Sequence, residues 1–182
     1  GGFLLLSDDE MKSLIRKDLR IKKWIRPLLG AEEFLNNKTR WCLWFVDEDL
    51  EKLWSNCVVK DILNNVANFR SQSTKKQTRE LAVKPHLFAE IRQPKEGNYI
   101  LFPEASSERR KYLPLGFYSH DVITTNRNYM IPNGTYYDFG VLNSSMHNDW
   151  MRLVTGRLEM RYSYSAGIGY NTFPWPQGIG PQ

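Results

Sequence analysis

Two cysteines and three histidines among 182 residues leave little from which to build a disulfide framework or a metal site. Cys42 and Cys57 sit among apolar neighbours without C-x-x-C spacing, which predicts buried free thiols and a reducing compartment. His86, His120 and His147 stand singly, without the close His/Cys/Glu spacing that zinc or non-haem iron requires, so no metal is expected. Long apolar runs are missing too. Phe3-Leu4-Leu5-Leu6 falls far short of the roughly 20 residues that cross a bilayer and lacks the basic flank of a signal sequence. A cytoplasmic protein without membrane contact is expected.

Catalytic signatures are equally scarce. A methyltransferase that uses S-adenosylmethionine needs a glycine-rich turn after its first strand, and one that methylates base amino groups needs an Asn/Asp-Pro-Pro-aromatic loop; the chain has neither. Gly167-Ile168-Gly169 leads into Phe173-Pro174-Trp175-Pro176 and not into a helix whose N-terminus would hold a phosphate. Glu90-Ile91-Arg92 resembles half of a nuclease motif, but arginine is too basic to replace the usual lysine. No Gly-x-Ser-x-Gly nucleophile elbow occurs. The chain is expected to hold no catalytic residue and no cofactor.

What is present is a globular composition, 41% hydrophobic and 13% aromatic, enough to offset chain entropy and form one core. The net charge of +5 is compatible with a polyanion without requiring one. Ser7-Asp8-Asp9-Glu10 reads as a capping box opening a helix over 8–19. Pro27 and Gly30 break the pattern, and Trp41–Val46 reads as a core strand. Apolar spacing at Leu50, Leu53 and Trp54, then at Val58, Ile62, Val66 and Phe69, predicts two helices ending near Lys84-Pro85. The basic stretch from Arg70 to Lys84 suits either phosphates or a solvated helix face. Strands are predicted at 86–92, 99–102, 122–125, 129–131 and 136–139, separated by turn residues such as Asn133-Gly134. Asn143-Ser144-Ser145 caps a last helix ending at Gly156, and the aromatic tail from Tyr162 to Pro176 wraps the surface. The expected fold class is α+β: helices, then a mostly antiparallel sheet, then a C-terminal helix.

Several strings occur in the order found in MmeI-like restriction-modification proteins: Arg26-Pro27-Leu28-Leu29-Gly30-Ala31-Glu32-Glu33-Phe34; Arg40-Trp41-Cys42-Leu43-Trp44; Leu87-Phe88-Ala89-Glu90-Ile91-Arg92-Gln93-Pro94; Ser106-Ser107-Glu108-Arg109-Arg110-Lys111-Tyr112-Leu113-Pro114; Phe139-Gly140-Val141-Leu142-Asn143-Ser144-Ser145-Met146-His147; Gly156-Arg157-Leu158; and Tyr164–Pro176. Over about residues 20–176 the chain resembles the target recognition domain of these proteins, which fuse a nuclease, an adenine-N6 methyltransferase and a DNA-reading domain. The resemblance implies a helical linker from the methyltransferase domain over 1–26 and a target recognition domain over 27–182. It also implies a double-stranded DNA partner, contact with the methyltransferase domain of the same polypeptide, and S-adenosylmethionine and Mg2+ in the parent protein. The chain opens Gly1-Gly2 without methionine and reads as a piece of a longer one.

In that family the residues that vary with the recognised sequence lie between Gly-Arg-Leu and Tyr-Ser-Ala-Gly, which brackets Glu159, Arg161 and Ser163. Their chemistry suits base edges, since arginine donates twice to guanine and glutamate accepts from the cytosine amino group. Glu159 and Arg161, one residue apart on extended chain, point to one side and can read one base pair together; an ordinary surface salt bridge is the competing reading. Arg127 is a further base-reading candidate. Arg92, Ser106, Ser107, Arg109, Arg110 and Lys111 fall in shared motifs and are expected at phosphates, no more than two of the three consecutive cations at once. Gly169 and Asn148-Asp149 depart from the family pattern. A protein-docking module and a single-stranded RNA binder are the alternative functions.

Overall fold

The computed structural model describes residues 2–177. Its regular elements are β1 (Leu5–Leu6), α1 (Asp8–Lys17), β2 (Ile25–Leu29), α2 (Ala31–Asn36), β3 (Trp41–Leu43), α3 (Leu50–Ser55), α4 (Cys57–Ser71), α5 (Lys76–Glu80), β4 (Asn98–Pro103), β5 (Ala105–Ser106), β6 (Gly116–Ser119), β7 (Ile123–Thr124), β8 (Asn128–Pro132), α6 (Tyr136–Leu142), α7 (Ser145–Val154), β9 (Gly156–Leu158) and β10 (Arg161–Ser163). The class is α+β, with β3 antiparallel to β1 and β2, β4 to β6 and β8, and β10 to β5 and β9. In place of one core, the chain forms two compact units. The boundary anticipated at 26/27 falls inside β2, and the last five residues of the anticipated domain lie outside the described ones.

The first unit comprises Gly1–Leu29, Lys38–Gln93 and Asp121–Ile123. Ser7 and Glu10 form the expected capping box and start α1, whose Leu14 joins Leu4, Ile21, Trp24, Phe45, Leu53, Val59, Leu63 and Val66 in one core. Its sheet runs β1-β3-β2-β7. Pro27 lies within β2, where a break was expected, and the ladder continues on both sides of it: Ile25 pairs with Leu43, and Leu28 donates to the Arg40 carbonyl. The strand anticipated at 86–92 does not form. Arg70, only 2% exposed, is the reason: its guanidinium donates to the carbonyls of Leu81, Lys84 and Leu87 at 2.7–3.1 Å, satisfying backbone acceptors that a ladder would otherwise need. Arg70 is therefore neither at phosphate nor on a solvated face. Cys42 is buried, and desolvation pushes its thiol up to about 12, whereas Cys57, expected inside, is exposed at the start of α4.

The second unit comprises Gly30–Asn37, Pro94–His120 and Thr124–Gln182. Tyr99 to Pro103 of β4 are buried at every position, so both faces of this strand are covered between β6 and β8. Residues 136–139, anticipated as a strand, open α6 instead. Thr135 and Asp138 make a reciprocal capping box, with the Thr135 amide donating to Asp138 at 2.7 Å. Ser144 caps α7 as expected. The tail does more than wrap the surface, since Phe173 is buried with its ring 4.8 Å from that of His147 and 6.2 Å from that of Trp150.

Candidate functional site

The site is built in the second unit around a two-residue hairpin. β9 and β10 pair with Arg157 opposite Tyr162 and Leu158 opposite Arg161, leaving Glu159-Met160 as the loop. Glu159 has φ 57°, a left-handed conformation that such loops usually give to glycine, asparagine or aspartate. Holding a glutamate there costs about 1–2 kcal/mol. This corrects the expectation that Glu159 and Arg161 are alternate residues of one extended segment: Glu159 forms the tip and Arg161 begins the returning strand. Both are exposed, and among the described residues neither has an ion-pair partner, so the surface salt bridge does not form. Strand alternation places Arg161 and Ser163 on one face of β10 and Tyr162 on the other.

Behind the hairpin lies β5, with Ser106 opposite Tyr162, followed by the basic loop. Ser106, Ser107, Arg110, Tyr112, Tyr162 and Tyr164 line one small hollow. Ser106 is buried, contrary to a place on the phosphate-facing surface, and its hydroxyl has no hydrogen-bond partner among the described residues. The Ser107 hydroxyl accepts from the Arg109 amide, and the Arg110 amide donates to the Ser107 carbonyl, which folds the loop into a turn. Arg109 projects into solvent, 91% exposed and 3.9 Å from Glu108. Lys111 lies 5.3 Å from the centre of the Tyr112 ring. The three consecutive cations thus point to different surroundings. Arg127 is less available than expected, for it pairs with Glu104 at 3.2 Å. Arg92 belongs to the first unit, where it approaches Glu90 at 3.6 Å.

Two residues that sequence reasoning did not select hold the basic loop in place. Asn148, fully buried on α7, accepts from the Leu113 amide at 2.6 Å and donates to the carbonyls of Leu142 and Ser144. Arg152, one turn on, pairs with Asp149 and donates to the Lys111 carbonyl. The signal was there: Asn148 shares the apolar helix face with His147 and Met151, and a polar residue on such a face must have partners. His147 is also fully buried, its Nδ1 3.1 Å from the Leu142 carbonyl and its Nε2 3.2 Å from the Tyr164 hydroxyl. Burial lowers the His147 pKa and raises that of Tyr164, so both are neutral structural groups. Gly169 has a packing reason, because a Cβ there would sit 3.1 Å from Thr155 and 3.3 Å from Tyr164. Among the described residues, no three His, Cys, Asp or Glu side chains cluster as a metal site, and no helix is long and apolar enough to cross a membrane.

Residues 1–177 match the family model of the MmeI target recognition domain. DNA methyltransferase A of Bacillus subtilis (strain 168) is 38% identical over 178 residues, 97% of this chain. The solved structure of the Type IIL restriction-modification enzyme MmeI in complex with DNA is 43% identical and matches 97% of the chain with a TM-score of 0.91. This chain spans 20% of the length of that methyltransferase and 23% of that of the solved enzyme.

Proposed function

This chain belongs to the family of MmeI target recognition domains, and from that membership we propose that it reads double-stranded DNA for a restriction-modification adenine-N6 methyltransferase. The observation that carries the reading is the likeness of almost the whole chain to part of an enzyme solved with DNA. The hairpin adds physical support. A strained glutamate at an exposed tip persists where its side chain is needed, and Arg161 beside it has no ion pair or hydrogen bond from its guanidinium among the described residues.

The division of labour follows from the side chains. Glu159, Arg161 and Ser163 contact base edges, while Arg109, Arg110, Lys111 and Ser107 position the duplex by its phosphates. Arg92 serves the same end from the first unit. Arg127 reaches a base only by leaving Glu104, which for an exposed pair costs about 0–1 kcal/mol. Methyl transfer to an adenine drawn out of the stack belongs to the methyltransferase domain of the parent polypeptide, on which this chain docks. S-adenosylmethionine supplies the methyl group there, and Mg2+ serves cleavage. The residues of this chain suit neither group: Gly169 is used for packing, and no acidic cluster occurs among the described residues. In this reading the chain serves recognition and leaves catalysis to the other domains of the parent, in the cytoplasm with the host DNA.

The test is fluorescence anisotropy of a labelled random-sequence duplex titrated with the chain between about 50 and 200 mM salt. Binding that weakens linearly on a log–log plot is expected. Absence of binding at the lowest salt, or tighter binding of single-stranded RNA, overturns the reading.

A further inference from the structure

The hairpin register separates two sets of side chains. Arg161 and Ser163 lie on one face; Arg157, Tyr162 and Ser106 form a row across β9, β10 and β5 on the other. Arg157 is exposed, and its guanidinium carbon sits 5.0 Å from the centre of the Tyr162 ring. Most other arginines of the second unit have an acid within 4 Å: Arg109 has Glu108, Arg127 has Glu104, and Arg152 has Asp149. Arg157 has no ion pair or hydrogen bond among the described residues, and neither has the Arg110 side chain. Arg110 lines the same hollow as Tyr162 and the buried Ser106, whose hydroxyl has no hydrogen-bond partner among the described residues.

An arginine stacked on an aromatic ring keeps its fork of N–H donors and loses conformational freedom before any ligand arrives. Two guanidiniums uncommitted among the described residues, one against the Tyr162 ring and one on the hollow that Tyr162 lines, suit an anion with several oxygens. We propose that Arg157, oriented by Tyr162 and joined by Arg110, grips a phosphodiester of the DNA backbone, while the opposite face of the same hairpin carries the base contacts. Arg157 thereby fixes the hairpin's position on the duplex without contributing to the choice of sequence. This rests on the DNA-reading function proposed above.

The experiment compares the wild-type chain with Arg157→Ala, Arg157→Lys and Tyr162→Leu, using a pool of random-sequence duplexes whose bound fraction is sequenced, over a range of salt. Arg157→Ala is expected to weaken binding to all duplexes by the same factor and to lower the salt slope by about one unit. Arg157→Lys should keep the slope but bind less tightly, and Tyr162→Leu, which removes the ring that orients Arg157, should bind all duplexes less tightly. Equal melting temperatures for Arg157→Ala and wild type separate loss of contact from loss of fold. An unchanged slope in Arg157→Ala, or a change of preferred base at one position, overturns the assignment while wild-type binding leaves the DNA-reading function standing. If the wild-type chain binds no duplex, both fall together.

Discussion

At the scale of single residues, the proposed choice of sequence rests on the tip of the hairpin. Glu159 and Arg161 lie on either side of Met160, one in a left-handed turn and one on a strand, so their approach to a common base pair is set by the turn and not by strand alternation. Exchanging both charges, Glu159→Lys with Arg161→Asp, should redirect the full-length enzyme to a different base at one position and leave the rest of its site intact. Discrimination lost at that position should be roughly 1–3 kcal/mol. Single-molecule sequencing of methylated host DNA reads the outcome, and retention of the original motif would show that the pair only shapes the loop. The chemistry of this pair was legible in the sequence. Its backbone was not, because nothing in Leu158-Glu159-Met160-Arg161 advertises a turn: the position that usually carries glycine carries glutamate.

At the scale of elements, local signals succeeded where the cap itself was read from the sequence, at α1 and α7. Ser7 with Glu10 and Ser144 with His147 were readable because the side chain and the amide it satisfies are three residues apart. Residues 136–139 misled because aromatic composition suggested a strand, while Thr135-Tyr136-Tyr137-Asp138 already held the capping pair that wins. Residues 86–92 misled for a non-local reason, since their neighbours' carbonyls are claimed by Arg70 from α4. The same kind of long-range bond fastens the basic loop: Asn148 on α7 holds the Leu113 amide 35 residues away. Asn148→Ala should leave that buried amide without its partner and destabilise the chain by about 1–3 kcal/mol. Urea unfolding of the variant measures this, and a change below a few tenths would show that the loop is held without Asn148. Arg110 and Lys111 ride on the same loop, so DNA affinity should fall in parallel at salt concentrations where the variant remains folded.

At the scale of the whole molecule, composition announced a folded protein but could not announce two units, because their segments interleave along the chain and no linker marks a boundary. Each unit holds a histidine whose pKa is lowered. For His86 the cause is burial and then the charges of Arg70 and Lys84; for His147 it is burial, which outweighs its bond to the Leu142 carbonyl. The sign of the consequence is fixed. A histidine whose folded pKa lies below its unfolded value near 6.5 binds more protons when unfolded, so the stability it supports is complete above that value and declines as pH falls through it. The carboxylates of Asp8, Glu10 and Asp18 are held below their ordinary values by hydrogen bonds to Lys12, Ser7 and Arg20 respectively, so their contribution fades only in a lower window, beneath about pH 4. Urea midpoints should therefore drop between pH 7.5 and 5.5, before these three carboxylates titrate. At His147, whose ring packs against Phe173, protonation of Nε2 would also force the Tyr164 hydroxyl to turn its hydrogen away. His147→Gln should be less stable at pH 7.5 yet show a shallower decline toward pH 5.5, the difference in slope being at most about 1.4 kcal/mol per pH unit. Identical slopes in the two proteins would place the pH sensitivity elsewhere.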